Sequence, residues 1–137
     1  MSLDRRRLVR ALAAALAAMA IMSAAPPARG ETPYLIGERL RAAMAGATLV
    51  GGNWAEYYAP DGRIFGRVRY LGLLHEFTGR WRARLDRICF EYELSQYNTC
   101  SKFRLVGDRM RHFDVDGKPK PDPESRRFPG NRLGELR

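Results

Sequence analysis

Two cysteines, Cys89 and Cys100, stand symmetrically about Leu94-Ser95 within residues 77 to 106, a run that reads as three successive antiparallel strands. Trp81, Ala83 and Leu85 alternate with Arg80, Arg82 and Arg84; Ile88, Phe90 and Tyr92 alternate with Cys89, Glu91 and Glu93; Phe103 and Leu105 alternate with Lys102 and Arg104. A period of two is that of a strand with one apolar and one solvated face. Turns at Leu85-Asp86 and Leu94-Ser95 put all the large side chains on one face, which is then the core. The second turn, whether two or four residues long, sets Cys89 opposite Cys100, and directly opposed residues have Cα atoms about 4.5 to 5.5 Å apart, within disulfide range. A four-residue loop, Glu93 to Gln96, makes the cysteines a non-hydrogen-bonded pair with closer side chains. The other reading is two reduced cysteines used as small apolar residues.

The N-terminus bears on that choice. Asp4-Arg5-Arg6-Arg7-Leu8-Val9-Arg10 is a charged segment, Ala11 to Ala25 is an alanine-rich apolar run, and small residues and prolines follow. This is the order of a secretory signal peptide, with residues 1–30 removed and 31–137 exported as one β-domain to the periplasm or outside. The apolar run is shorter than the ~20 residues a spanning helix needs, so no membrane span is expected after cleavage. Ser23-Ala24-Ala25 and Ala28-Arg29-Gly30 both fit as cleavage sites, and Arg5 to Arg10 fits both an ordinary arginine-rich signal and the twin-arginine pattern. No cysteine follows the run, which excludes a lipoprotein. An oxidising destination favours the Cys89–Cys100 bond. Export also lowers the formal charge of +9, because the first 30 residues hold five arginines and one aspartate, leaving 9 − 4 = +5. In that compartment the basicity points to an acidic glycan, lipid phosphate or protein, and away from nucleic acid.

With 45% hydrophobic and 28% charged residues the chain is globular. Thr32-Pro33 through Gly46 reads as one helix, with Thr32 as N-cap, Pro33 at the first helical position, Gly46 at the carboxyl cap, and Ile36, Leu40 and Ala43 or Met44 as its stripe. Trp54 to Ala59 is a strand, Pro60-Asp61-Gly62 a hairpin turn, and Arg63 to Leu71 the return, with Ile64, Gly66, Val68 and Tyr70 facing one way. Leu73 to Glu76 reads as a loop, and Arg109 to Val115 as a further strand between Gly107-Asp108 and Asp116-Gly117. From Lys118 the chain is rich in proline; Pro119, Pro121 and Pro123 forbid a central strand, so this tail is expected to be extended or loose and its last residues to fray. The expected fold is mainly β, an antiparallel meander of about six strands curled into a half-barrel or small barrel, preceded by one amphipathic helix.

The order of these signals, a helix ending in Gly46, Tyr58-x-x-Pro-Asp-Gly62, Thr78-Gly79-x-Trp81, Ile88-Cys89, Cys100, Asp116-Gly117-Lys118 and Pro129-Gly130-Asn131, resembles a family of short exported bacterial proteins catalogued only as a domain of unknown function (the alphaproteobacterial-type nine-hundred-and-ninety-five family). The resemblance covers about residues 35 to 132 and implies a small antiparallel β-fold; it carries no catalytic residue or ligand. Gly79-Arg80-Trp81 also resembles the Gly-x-Trp of lipocalins, which place theirs on the first strand.

No constellation for catalysis stands out. His75 and His112 lie on different elements without ligand spacing, so no metal site is expected. Asp114-Val115-Asp116-Gly117 lacks the closing carboxylate of a calcium loop, and Ser95 and Ser101 have no nucleophile elbow. No cofactor and no enzymatic activity are therefore expected. The one feature above background is a face carrying Arg67, Arg69, Arg80, Arg82 and Arg84, with Glu91 falling opposite Arg80. It reads either as a solvated outer face or as an anion-binding surface of an envelope-associated module. The alternative function is a small barrel carrying an apolar ligand among Trp54, Tyr58, Trp81 and Phe90.

Overall fold

The computed structural model describes residues 30–136. Eight antiparallel strands follow one another around a closed barrel: β1 (Ala47–Val50), β2 (Trp54–Tyr58), β3 (Arg63–Tyr70), β4 (Leu73–Ala83), β5 (Ile88–Tyr92), β6 (Thr99–Val106), β7 (Arg109–Phe113) and β8 (Pro119–Pro129). The fold is thus mainly β and antiparallel, as the alternation requires, but it has eight strands where six were expected and is closed. The two strands that the sequence concealed are partners: β1 pairs with β8 from Ala47↔Pro129 to Val50↔Arg126, and this pairing shuts the barrel.

The tail is therefore not loose. Its prolines are tolerated because of where they fall: Pro119 opens the strand opposite Phe113, Pro121 and Pro123 lie in the register shift between Arg111↔Glu124 and Phe113↔Pro119, and Pro129 ends the strand opposite Ala47. Past Pro129 the chain crosses the outside of β1. Arg132 N–H donates to Thr48 Oγ1, which itself donates to the Gly130 carbonyl, and Leu136 is buried rather than frayed. Leu73 to Glu76 is likewise strand, forming the far end of β4 opposite β3, with Tyr70↔Leu73 as the last pair.

The helix α1 spans Gly37–Met44 only, shorter than the expected run from Thr32. Gly37 has φ +56, outside helical space, and Tyr34-Leu35 instead lie extended on the barrel. Leu35 N–H donates to the Phe103 carbonyl at 2.8 Å, and the Tyr34 ring meets Phe113 edge-on at 5.3 Å. Gly46 follows the helix with φ +74, as its place after the last apolar residue predicts. Leu40, Ala43 and Met44 are buried, while Ile36 is exposed. The helix plugs one end of the barrel, its first residue held by Gly37 N–H to the Leu85 carbonyl.

Inside, Tyr58 meets Trp81 at 6.3 Å and Phe90 at 5.8 Å, and Phe90 meets Phe103 at 6.3 Å, with Leu49, Ile64, Ile88 and Met110 between them. Leu85, expected in the core, sits exposed in the β4–β5 turn. Gly66 has no room for a side chain, because a Cβ there would stand 2.1 Å from the Phe77 ring that lies over it from β4.

Cys89 and Cys100 are disulfide-bonded, paired across β5–β6 with a Cα separation of 4.0 Å. The connection is longer than Glu93 to Gln96: pairing stops at Phe90↔Thr99, Ser95–Tyr97 forms a 3-10 turn, and Tyr92 N–H donates to Asn98 Oδ1. Lengthening the loop equally on both sides leaves its centre, and hence the cysteine register, unchanged. Closing a ring of this size contributes about 3 kcal/mol in the loop-entropy description. Reduction should lower the melting temperature by roughly ten degrees or more, at ~4 to 8 °C per kcal/mol; thermal melts with and without reductant measure it, beside a thiol titration that finds no free thiol before reduction.

The β3–β4 turn is Leu71-Gly72, with φ +51 and +76. A two-residue hairpin of this kind needs left-handed backbone at both positions, which Asn-Gly satisfies and a leucine does not. Leucine pays about 1 to 2 kcal/mol in this conformation, and 82% of its surface is exposed, so burial returns little. Leu71→Asn should therefore raise stability by about 1 kcal/mol, read as a higher melting temperature with unchanged circular dichroism.

Candidate functional site

In an up-and-down barrel the connections alternate between two ends. One end carries α1 and the turns at 59–62, 84–87 and 107–108; the other carries those at 51–53, 71–72, 93–98 and 114–118. The arginines of the β3–β4 outer face divide between these ends. Residues pair as Arg63↔Arg80, Phe65↔Thr78, Arg67↔Glu76 and Arg69↔Leu74. The expected shared face is present, but the five arginines do not form one cluster: Glu76, the partner of Arg67, lies four residues along β4 from Arg80, about 13 Å at 3.3 Å per residue.

Near the open end, Arg67 Nη2 is held by Glu76 Oε1 at 3.1 Å, and Arg69 is exposed beside the 51–53 turn, where Asn53 Nδ2 donates to its carbonyl. At the helix end Arg63 stands directly opposite Arg80, a residue that the sequence reading left out of the group. Asp61 takes Arg63 at 2.8 Å, and the Arg63 guanidinium lies 5.3 Å over Phe65, whose ring stacks with Tyr57. Glu91 is opposite Arg80, as the turn at Leu85-Asp86 predicts. Arg82 pairs across from Cys89 and Arg84 follows in the turn; Arg80, Arg82 and Arg84 make no ion pair among the described residues. Beside them a cleft of about 190 Å³ is lined by Arg41, Pro60, Asp61, Gly62, Trp81 and Ala83.

The barrel interior holds a second polar group that alternation alone did not announce. Glu56 faces inward on β2, between Leu49 and Gly66, and its carboxylate accepts hydrogen bonds from the Tyr58 and Tyr92 hydroxyls, the latter at 2.8 Å. Burial raises the Glu56 carboxyl above its ordinary value, partly offset by these two donors, and the same burial and the nearby carboxylate raise both phenols. Further round the interior, His112 Nε2 lies 2.7 Å from Ser125 Oγ, its ring edge-on to Trp54 and Phe103, and the Trp54 Nε1–H donates to Asp122. Burial lowers His112 to about 4, with Lys120 lowering it further and Asp122 and Glu124 opposing. The inward position of residue 56 was readable from its place between Trp54 and Tyr58; nothing in the sequence marked its phenol partners.

His75 and His112 are on separate strands, and among the described residues no group of three or more histidine, cysteine, aspartate or glutamate side chains is placed to hold a metal. Asp114 closes a turn instead, its Oδ1 accepting from the Asp116 and Lys118 amides. The expected signal peptide, residues 1–30, lies outside the described residues except for Gly30; within these, no helix is long and apolar enough to cross a membrane. Trp54, Tyr58, Trp81 and Phe90, considered above as a ligand lining, pack on one another or on polar neighbours; one cleft opens at the helix end against Arg41, Pro60 and Trp81, and another beside Val106, Arg109, Arg111 and Glu124.

No family profile, no curated protein and no solved structure matches the chain, so the resemblance noted above rests on motif order.

The interior titrating groups make opposite contributions to stability. Between pH 6.5 and about 4 the unfolded chain takes up a proton that His112 refuses in the fold. Stability should fall as pH drops through that window, by about 3 kcal/mol at 1.36 kcal/mol per unit. Glu56 holds its proton more tightly folded than unfolded, so its contribution declines as pH rises above 4.5. His112→Gln should flatten the acid-side loss, and Glu56→Gln should stabilise the protein near neutrality; denaturant midpoints from about pH 4 to about pH 7 measure both.

Proposed function

We propose that the chain is an exported, non-enzymatic binding module of the cell envelope that holds a polyanionic partner at the helix-end arginines Arg63, Arg80, Arg82 and Arg84. The observation that carries this is the direct opposition of Arg63 and Arg80, with Arg80, Arg82 and Arg84 left without ion pairs among the described residues. Like charges opposed across a strand pair destabilise it. An anion between them removes that repulsion, and guanidinium forks match sulfate, phosphate and carboxylate oxygens two at a time. Glu91 offsets one charge only, and Arg41 extends the basic surface across the neighbouring cleft.

Two features support an oxidising compartment: the Cys89–Cys100 disulfide is compatible with one, and residues 1–30 have the residue order of an export signal. There its formal +5, if it starts at Glu31, favours phosphate- or sulfate-bearing glycans and lipids as partners. No cofactor is required.

Retention on immobilised heparin tests the reading. The Arg80/Arg82/Arg84→Ser variant should elute at clearly lower salt than wild type, because fewer cation–anion contacts survive screening. Arg67→Ser, whose charge is already met by Glu76, should elute almost unchanged. Identical elution of the triple variant and wild type, with matching melting temperatures, removes the idea.

A further inference from the structure

The longest hairpin at the open end of the barrel is apolar at its tip, where the turns of the helix end are charged. The β3–β4 turn carries Tyr70, Leu71, Leu73 and Leu74, and the adjacent β5–β6 connection carries Leu94 and Tyr97; all six are exposed. Residues 70–74 hold no charge, nor do 94–98 or 50–54, whereas the fourth connection of that end, 114–118, carries Asp114, Asp116 and Lys118, and Glu93 precedes Leu94. The turns of the helix end hold Asp61 and Arg63, Arg84, Asp86 and Arg87, and Asp108 and Arg109. The contrast sits in one molecule on one set of strands.

Three observations say what the apolar tips meet. The first is shape: β4 pairs with β5 only from Gly79 onward, so Leu73 to Thr78 run past their neighbour and the β3–β4 hairpin projects. Its apolar side chains point to both faces and off the tip, since Tyr70 and Leu73 share the inward face, Leu74 shares the outward face with Arg69, and Leu71 is the turn itself. A projection apolar on every side suits a fluid that closes around it better than a flat protein patch. The second is charge: Arg69 and then Arg67 stand directly behind the tip, one of them held by Glu76, where anionic headgroups would lie once the leucines are immersed. Tyr70 flanks the leucines at the level that amphipathic rings favour at a membrane surface. The third is the left-handed leucine: at Leu71 the fold keeps an exposed aliphatic side chain where a turn residue would be more stable. Backbone strain held at an exposed position points to a use for the side chain.

We infer that the β3–β4 hairpin tip inserts shallowly into the interface of an anionic phospholipid bilayer. This surface is distinct from the helix-end arginines, which stand at the other end of β3 and β4. Docked this way, the barrel keeps its helix-end arginines directed away from the lipid, free for a second partner.

The full chain, labelled one site at a time with a polarity-sensitive dye, tests it. Leu71→Cys and Leu74→Cys report the hairpin tip, and Asp61→Cys reports the helix end. With vesicles of phosphatidylcholine containing phosphatidylglycerol, the dye at 71 and 74 should shift to the blue and that at 61 should not; with phosphatidylcholine alone the shift should shrink. Adding Leu71→Asn and Leu73→Ser to the Leu74→Cys protein should weaken the apparent vesicle affinity about tenfold or more, from the apolar area removed. Leu71→Asn satisfies the turn, so loss of folding does not mimic that result. Dyes at 71 and 74 that stay in water, an equal shift at 61, or a shift that appears without vesicles as protein concentration rises each overturns the inference, the last by showing that copies pair through the open edge of β4. Heparin elution of the Leu71→Asn/Leu73→Ser protein should match wild type, which separates failure here from failure of the anion-binding reading.

Discussion

Everything in this fold depends on the pairing of β1 with β8. Without it β1 to β8 would form an open, curled sheet whose bare edges are β1 and β8, and bare edges invite association with other chains. Four residue pairs, Ala47↔Pro129 to Val50↔Arg126, remove both edges. The seam is reinforced on each side. Gly130 N–H donates to the Gly46 carbonyl and Gly46 N–H to the Tyr58 carbonyl, so the exit of α1, the end of β2 and the end of β8 are tied together. Arg127 Nε–H donates to the Ala43 carbonyl near the carboxyl end of α1, where a cation is favoured. Leu40 and Met44 can then close the barrel end, because the helix is fixed to the strands that complete it.

The parts legible in the sequence are those where local pattern and burial agree. The central strands alternate cleanly, so β4, β5 and β6, the Arg80↔Glu91 pairing and the cysteine register follow from symmetry about two turns. The same logic placed Ile64, Gly66 and Val68 inside and Gly62 in its turn. What stayed hidden has physical causes. β1 is only four residues long and is buried on both faces, since the C-terminal segment covers Thr48, so it does not alternate. β8 carries prolines that argue against a strand unless one knows that its partners skip Lys120 to Pro123. Residues 32 to 36 have helix-start chemistry, yet the barrel wall offers Tyr34 and Leu35 more burial than a first helical turn would. Tertiary contact overrode local preference there.

For the candidate sites the sequence supplied the residues and not their grouping. The register puts Arg67, Arg69, Arg80 and Arg82 on one face, with Arg84 past the end of β4, but distance along a strand is invisible to parity. Only the hairpin register, with Arg63 opposite Arg80 and Glu76 opposite Arg67, divides them. The Glu56, Tyr58 and Tyr92 group is harder still, because it joins β2 to β5 across the interior and leaves no local trace.

A barrel of this size has little interior to spend on a ligand. Its helix-side half is filled by Tyr58, Trp81, Phe90 and Phe103, and the half toward the open end holds polar side chains already bonded to one another. Those interior bonds matter for what the outside can do. A buried carboxylate and a buried imidazole each cost stability unless their partners are held in place, so the strands bearing Glu56, Tyr92, His112 and Ser125 are held in a fixed relation. With the wall rigid, the projecting β3–β4 hairpin is the element least tied down, since one edge of β4 from Leu73 to Thr78 has no neighbouring strand. The closed seam, the filled interior and the free hairpin thus form one chain of consequence. Closure removes the sheet edges at the seam, and the single long edge that remains lies beside the most apolar tip of the molecule. An edge left exposed in that setting invites aggregation unless a medium covers it, and a bilayer interface is a medium that covers the leucines while the arginines behind them stay hydrated.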